Sequence, residues 1–220
     1  VIVAASFAFV VLNMGFFTAQ RSKTVIGSGL SEASSAIEID GSVIAHGVPE
    51  NYASTPPDLP SGIDLQSILS ESEYTYGFAY KIVIYIKLSS GRQPVELTRG
   101  KLVIAYTNPR VSIDNIYPEI PTGKETTLES ICNVTKVVGD DDMLLEEGEK
   151  FKIVINLAEL YSHFNSTLVS LMGISYMGDA DDIFVGTHET FTIEVKPPVG
   201  AILTVERMIP PAVDYVMNLA

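Results

Sequence analysis

The sequence predicts an α+β fold in which one long N-terminal apolar helix precedes an antiparallel, Ig-like β-sandwich domain. Two observations support this prediction. Residues 1–20 carry no charge, whereas the rest of the chain is acidic and consists of short alternating segments separated by Pro and Gly. A length of 220 residues allows one helical rod and one domain of ordinary size. We therefore divide the chain into a hydrophobic helix at residues 1–36 and a β-sandwich outer domain at residues 37–220.

The first element is the uncharged run VIVAASFAFVVLNMGFFTAQ, which Arg21 and Lys23 follow directly. Twenty helical residues span about 30 Å, the hydrocarbon thickness of a bilayer, so the segment could span a membrane. The chain begins at Val1, with neither Met nor a positive charge before the apolar run, which is unlike a secretory signal peptide. We expect a leader to have been removed just before Val1; an artificially shortened chain is the alternative.

The composition of this run favours contact with other helices. Small residues alternate with phenylalanines in it: Ala4, Ala5, Ser6, Ala8, Phe7, Phe9, Phe16 and Phe17. Small residues let helices approach closely in an apolar medium, and the polar Asn13 needs a partner there. The pattern favours a helix bundled among copies of itself; an ordinary membrane anchor is the alternative. A loose three-to-four spacing predicts that the helix continues through residues 24–36, weakened at Gly27 and Gly29 by roughly 1 kcal/mol each.

The rest of the chain is predicted to be a strand protein. Residues 78–88 alternate in polarity over eleven positions, which is a strong strand signal. Further strands are predicted at residues 102–106, 151–157, 191–195 and 201–205, and weaker ones at 37–45, 111–116 and 131–138. Short strands with turn signals between them are typical of a β-sandwich. The predicted helices of this domain are Leu65–Leu69 and residues 158–164, and residues 47–62, with four prolines, are predicted to be a surface loop.

Charge and cysteine content limit the function classes. The formal net charge is −13, and the outer domain alone carries about −14. Such a surface repels phosphate, so we expect no nucleic-acid partner. Cys132 is the single cysteine, which excludes an intrachain disulfide, and its neighbours predict a buried thiol in a strand.

Catalytic and metal motifs are missing from the sequence, which therefore predicts that the protein is not an enzyme and needs no cofactor. His46, His163 and His188 lack metal-ligand spacing and are predicted to lie on the surface or in loops. Two acidic clusters, Asp140–Asp141–Asp142 and Asp179–Asp181–Asp182, are predicted to be solvated turns. Calcium binding at either cluster is the weaker alternative, because neither matches a twelve-residue calcium loop.

Two Asn-x-Ser/Thr sequons are candidate N-glycosylation sites. They begin at Asn133 and Asn165, and neither has Pro in the middle position. Asn165 lies in the more loop-like context and is the preferred candidate.

The arrangement of the whole chain resembles the archaeal flagellin (archaellin) family, which is related to type IV pilins through the N-terminal rod. The segment LEEGE at residues 145–149, followed by a strand, is similar to that family's Leu-x-x-Gly-Glu turn. The segment GAILTVERMIP at residues 200–210 is similar to its C-terminal strand with Arg and Pro, and residues 215–219 fit as well. Type IV pilins usually carry Glu at the fifth mature position, and Ala5 here favours archaellin over pilin.

This resemblance implies a structural subunit of the archaeal flagellum, extracellular in the filament and inserted in the membrane as a precursor. It implies cleavage of a leader by a prepilin-type peptidase, polymerisation into a helical homopolymer, and export and motor machinery as further partners. The assembly helix would act through residues Val1, Ala5, Phe7, Phe9, Asn13, Phe16 and Phe17. An archaeal adhesion pilin of the same superfamily is one alternative. A membrane-anchored extracellular binding domain, monomeric in lipid, is an alternative from another class.

Overall fold

A computed structural model describes residues 2–32, 37–60, 63–71, 74–121, 125–164, 166–175 and 179–219. The chain begins with one helix, α1 (Ile2–Glu32), and continues into a domain built mainly of antiparallel strands. The predicted extension of the helix through residues 33–36 lies outside the described residues. The helix and the antiparallel sheets confirm the predicted fold class, and the domain division at residue 36 stays a prediction.

The larger sheet has seven strands and is centred on one long strand. Its main strands are β2 (Val43–Pro49), β3 (Gly77–Leu88), β7 (Cys132–Val138), β9 (Lys150–Asn156) and β14 (Val216–Leu219), in the spatial order β14-β2-β3-β9-β7. The short β1 (Ile37–Ile39) and β11 (Val185–Gly186) also pair with β3. All these pairings are antiparallel. Strand β3 pairs with β2 along one edge and with β9 along the other.

The second sheet has five strands and forms the other layer of the domain. Its strands are β5 (Val103–Thr107), β6 (Ser112–Ile113), β10 (Ile174–Ser175), β12 (Thr190–Lys196) and β13 (Leu203–Met208), in the spatial order β10-β6-β5-β12-β13. A separate two-stranded ribbon joins β4 (Val95–Glu96) to β8 (Leu144–Leu145).

Short helices fill the connections between the sheets. They are α2 (Leu65–Leu69), α3 (Glu125–Ile131), α4 (Leu157–Ser162), α5 (Ser166–Met172) and a 3₁₀ turn at Ala180–Ile183. Asp64 caps α2, because its Oδ1 accepts the backbone N–H groups of Gln66 and Ser67 at 3.1 and 3.2 Å.

The core lies between the two sheets and follows from the alternation of β3. Ile82, Ile84 and Ile86 are completely buried, since every second residue of a strand faces the same side. Phe184 packs at one end of this core, with ring centroids 4.7 Å from Phe78 and 5.4 Å from Tyr161.

Three predictions about secondary structure were wrong in detail. Residues 37–45 form two strands, because the chain departs from β3 around Gly41, whose φ of +94° is unfavourable for other residues. Helices α3 and α5 were missed, since seven residues are too few to show helical periodicity. The predicted loop at residues 47–62 begins inside β2, which runs through Pro49.

Candidate assembly surface

The described side chains of the N-terminal helix are exposed. Every side chain from residue 6 to residue 27 that the structure describes is classed as exposed. Ten large apolar side chains in this helix are between 55% and 72% exposed: Phe7, Phe9, Val10, Val11, Leu12, Met14, Phe16, Phe17, Val25 and Ile26. The outer domain therefore does not cover this apolar surface.

The apolar residues surround the helix on every side. Successive residues of an α-helix are separated by about 100°, so the four consecutive residues Phe9, Val10, Val11 and Leu12 point in four directions. A helix that packs on the surface of a single domain carries one apolar stripe and one polar face. Since α1 lacks a polar face over these turns, it is suited to burial on all sides.

Burial of the apolar side chains of α1 would be strongly favourable. Full burial of a Val, Leu, Ile, Phe or Met side chain is worth roughly 1.5–3 kcal/mol relative to exposure. Ten such side chains make contact with an apolar environment strongly favourable for this helix.

Most polar groups in the helix are compatible with such an environment. The hydroxyls of Thr18 and Thr24 donate to the backbone carbonyls of Met14 and Gln20 at 2.8 and 3.0 Å, so they are satisfied within the helix. Asn13 differs, because its exposed carboxamide has two N–H donors and an acceptor oxygen, more than one local bond could satisfy. When the helix is buried, this group needs a partner from outside its own turn of helix.

The predicted assembly residues fall into three groups. Phe7, Phe9, Asn13, Phe16 and Phe17 all lie exposed on α1, as an assembly surface requires. Ala5 lies within α1, and the structure describes only its backbone. Val1 lies outside the described residues. Among the described helices, none is both long enough and apolar enough to cross a membrane.

The LEEGE motif forms a turn that is held together by a single carboxylate. Glu149 is 9% exposed, and its Oε1 and Oε2 accept the backbone N–H groups of Asp140 and Glu146, each at 3.0 Å. Gly148 takes a φ of +88°, which explains the need for glycine in this turn. The motif therefore has a structural role, since it closes the connection between β7 and β9.

The same turn brings together three carboxylates that could offer ligands to a metal ion. One oxygen from each of Asp140, Glu146 and Glu149 lies within 4.8 Å of the others. Calcium requires six to eight oxygen ligands, and both oxygens of Glu149 already accept backbone hydrogen bonds. In the second predicted cluster, Asp181 is buried and Asp182 lies 3.5 Å from the Arg110 Nε, so that cluster is not a solvated turn.

Two residues predicted to be a glycosylation site and a buried thiol, Asn133 and Cys132, lie next to each other in β7. Asn133 is half-buried in β7, and Asn165 lies outside the described residues. Cys132 is completely buried, as predicted, and burial raises the pKa of its thiol to about 12, so the thiol is unreactive.

The histidines do not form a catalytic or metal group. His46 is half-buried within β2 rather than in a loop, and burial, with the nearby Lys81, lowers its pKa. His163 ends α4 and lies 3.5 Å from Glu159, while His188 occupies a turn with a φ of +62°.

A groove beside His46 was not predicted from the sequence. It has a volume of about 490 Å³ and is lined by His46, Ser54, Pro56, Pro57, Asp58, Tyr80, Tyr215 and Val216. The Asp58 carboxylate accepts the Tyr80 hydroxyl at 2.6 Å and the Lys81 ammonium at 2.8 Å. These bonds satisfy the Asp58 carboxylate, so they anchor the loop that contains it to β3 rather than activate a catalytic group.

The C-terminal motif connects the two sheets. Arg207 in β13 donates its Nε–H to the backbone carbonyl of Leu219 in β14 at 3.1 Å. This bond joins the edge strand of the five-stranded sheet to the edge strand of the seven-stranded sheet. It gives a structural reason for Arg in that motif.

Comparisons with known proteins agree on one family. The family model for archaeal-type flagellin matches residues 1–207. The chain is 33% identical to a probable flagellin 1 of Aeropyrum pernix over 96% of this chain and 85% of that relative. It is 28% identical to a probable flagellin 2 of Archaeoglobus fulgidus over 96% of this chain and 84% of the relative.

A solved structure shares the fold. The archaeal flagellum of Methanospirillum hungatei superposes with a TM-score of 0.50 and 19% identity, covering 99% of this chain and 90% of the other. Because the family model spans nearly the whole chain and the Aeropyrum pernix relative is 33% identical, the chain belongs to the archaeal-type flagellin family.

Proposed function

We propose that copies of this flagellin polymerise through α1, and that its apolar side chains form the core of the filament. As a member of its family the protein is a structural subunit of a motility filament and not an enzyme, as the sequence predicted. The observation that supports the role of α1 is the exposure of ten large apolar side chains on all sides of one helix. Other copies of the same helix are the partner that a homopolymer supplies.

Before assembly, the precursor would hold α1 in the membrane. The support comes from the sequence and not from the described helix: residues 1–20, including Val1, carry no charge and are bounded by Arg21 and Lys23. Transfer from lipid to a bundle of apolar helices would keep these side chains out of water at every stage. Export and motor machinery would be the further partners, and the assembled filament would lie outside the cell.

Modification and ion binding stay secondary proposals. An N-glycan at Asn165, or less favourably at the half-buried Asn133, would suit an extracellular surface. Calcium at Asp140, Glu146 and Glu149 is the weaker proposal, because both oxygens of Glu149 already accept backbone hydrogen bonds. Neither is needed for assembly through the helix.

The experiment introduces one aspartate at a time into α1 of the full-length chain, which is expressed in a host that lacks its own flagellins. We expect Val10→Asp to abolish filaments, because a carboxylate cannot be buried in an apolar bundle without a partner. Ser22→Asp is the matched control, since it adds the same charge to α1 beyond the apolar run, and it should leave filaments intact. Filaments of normal length with Val10→Asp would contradict the proposal.

A further inference from the structure

One face of the outer domain carries half of the domain's lysines, together with Glu38, which lies opposite Lys87. Side chains at alternate positions of β3 point away from the core, and the neighbouring strands add to the same face. We call this the basic sheet face and define it by Lys81, Lys87, Lys150 and Lys152 around Ile44, Val83, Tyr85 and Val154. It holds four of the eight lysines that follow residue 36, in a domain that carries about −14.

The centre of this face is apolar. Val83 lies opposite Ile44 on β2 and Val154 on β9, so the three side chains form a row across three strands. Val83 is 7% exposed although it does not belong to the core cluster between the sheets. The face therefore combines an apolar row with flanking cations, the composition of a surface that can be buried by a charged partner.

Three of the four lysines have acidic partners within the domain. Lys81 contacts Asp58 at 2.8 Å, and Lys150 contacts Asp40 at 2.6 Å. Lys87 lies 3.3 Å from Glu38 and 3.7 Å from Asp40. These ion pairs lie toward the margins of the face and leave it with little excess charge there.

Lys152 is the exception. It stands opposite Tyr85 on β3 and Thr135 on β7, and no acidic side chain of the described residues forms an ion pair with it. The Thr135 hydroxyl oxygen beside it is buried and has no hydrogen-bond partner in the part of the chain that the structure describes. Buried polar groups normally have hydrogen-bond partners. The Lys152 ammonium and the Thr135 hydroxyl therefore mark a place on this face where a partner group is missing.

We propose that the basic sheet face is a contact surface between subunits, on which Lys152 binds a carboxylate of a second copy of this chain. This inference rests on the proposed polymerisation through α1, and it excludes a glycan at Asn133, which lies on this face opposite Val154. Identical acidic domains repel each other when equivalent surfaces meet. A heterologous contact instead brings two different surfaces together, and repetition of such a contact generates a helical filament. Because the chain carries a net charge of −13, the surface of the next copy offers many carboxylates to the unpaired Lys152.

The test compares the thermal stability of filaments formed by full-length variants. Lys152→Glu and Lys152→Gln remove the cation without breaking an ion pair inside the domain, so the subunit should fold normally by circular dichroism. Lys101→Glu is the control for net charge, since Lys101 is 57% exposed and lies off this face; it breaks the ion pair with Glu96, but an exposed pair contributes only about 0–1 kcal/mol. We expect dissociation of filaments at a lower temperature for Lys152→Gln, a larger shift for Lys152→Glu, and filaments like those of the wild type for Lys101→Glu.

Salt provides a second readout. At about 1 M salt the Debye length falls to about 3 Å, so the difference between wild type and Lys152→Gln should largely disappear. Filaments of Lys152→Glu as stable as those of Lys101→Glu would overturn this inference, as would a difference that salt does not reduce. Either result leaves polymerisation through α1 intact, because that proposal is tested separately, by whether the wild type forms filaments and Val10→Asp does not.

Discussion

The guanidinium of Arg110 forms a two-point ion pair with the carboxylate of Glu189, joining the loop after β5 to the residue before β12. Arg110 Nη1 contacts Glu189 Oε1, and Nη2 donates to Oε2 at 2.8 Å. Both side chains are mostly buried, at 17% and 19% exposure. The same guanidinium donates to the backbone carbonyl of Phe184 at 3.0 Å and lies 5.0 Å from the Tyr74 ring.

We expect Arg110→Met to destabilise the outer domain strongly. It leaves the Glu189 carboxylate buried without its cation, which typically costs about 3–5 kcal/mol. The measurement is chemical unfolding of the full-length chain, kept monomeric in mild detergent and followed by tyrosine fluorescence. The double variant Arg110→Met/Glu189→Leu should be less destabilised than Arg110→Met, because it also removes the unpaired carboxylate. Equal losses of unfolding free energy in the two variants would show that the unpaired carboxylate is not the cause.

Glu149→Gln should weaken the turn between β7 and β9. Glutamine has one side-chain oxygen, so it can no longer accept from both the Asp140 and the Glu146 N–H groups. A hydrogen bond to a charged group contributes about 1.5–3 kcal/mol, and these bonds are only partly buried, so the loss should lie at the lower end of this range. The same unfolding assay should show this loss for Glu149→Gln and almost none for the exposed neighbour Glu147→Gln. Similar losses in both variants would mean that the turn depends on charge rather than on these two bonds.

His46 should make stability dependent on pH. Its pKa in the folded state is lowered by burial and by Lys81, against a value of about 6.5 in the unfolded chain. Below pH 6.5 the unfolded chain binds more protons at this residue, so stability falls as the pH drops toward the lowered pKa. His46→Gln should reduce the fall in the free energy of unfolding between pH 7 and the range below pH 6.5, measured by chemical unfolding at each pH. An unchanged pH profile would exclude His46 as its source.

Deletion of residues 1–20 should yield a soluble monomeric outer domain. This deletion removes eight of the ten exposed large apolar side chains of α1, leaving Val25 and Ile26. Among the side chains that the structure describes, none from this segment belongs to the core between the two sheets. Analytical ultracentrifugation and circular dichroism should show a monomer rich in β-structure. Filaments built by the deleted chain would refute the role of the helix as the filament core.

Most of the fold could be predicted from periodicity. The apolar run and the alternation of β3, β9 and β12 are long enough to specify one helix and a β-sandwich. The short strands β4, β8, β10 and β11 could not be predicted, because two residues carry no periodic signal. Their positions depend on contacts between distant parts of the chain.

The candidate surfaces differed in how far the sequence could predict them. The assembly helix is local, and its apolar residues are contiguous in the sequence. The basic sheet face could not be predicted, because Lys81 and Lys152 are brought together only by the pairing of β3 with β9. Arg110 and Glu189 are likewise 79 residues apart, so their ion pair follows from the three-dimensional fold alone.

Electron cryomicroscopy of filaments formed by the full-length chain tests the central claim most directly. We predict that density for α1 lies at the filament axis, with Phe9, Val10 and Leu12 packed against the helices of neighbouring copies and the β-sandwich domains outside. A filament whose axis is lined by β-sandwich domains, with α1 exposed at the surface, would contradict the claim.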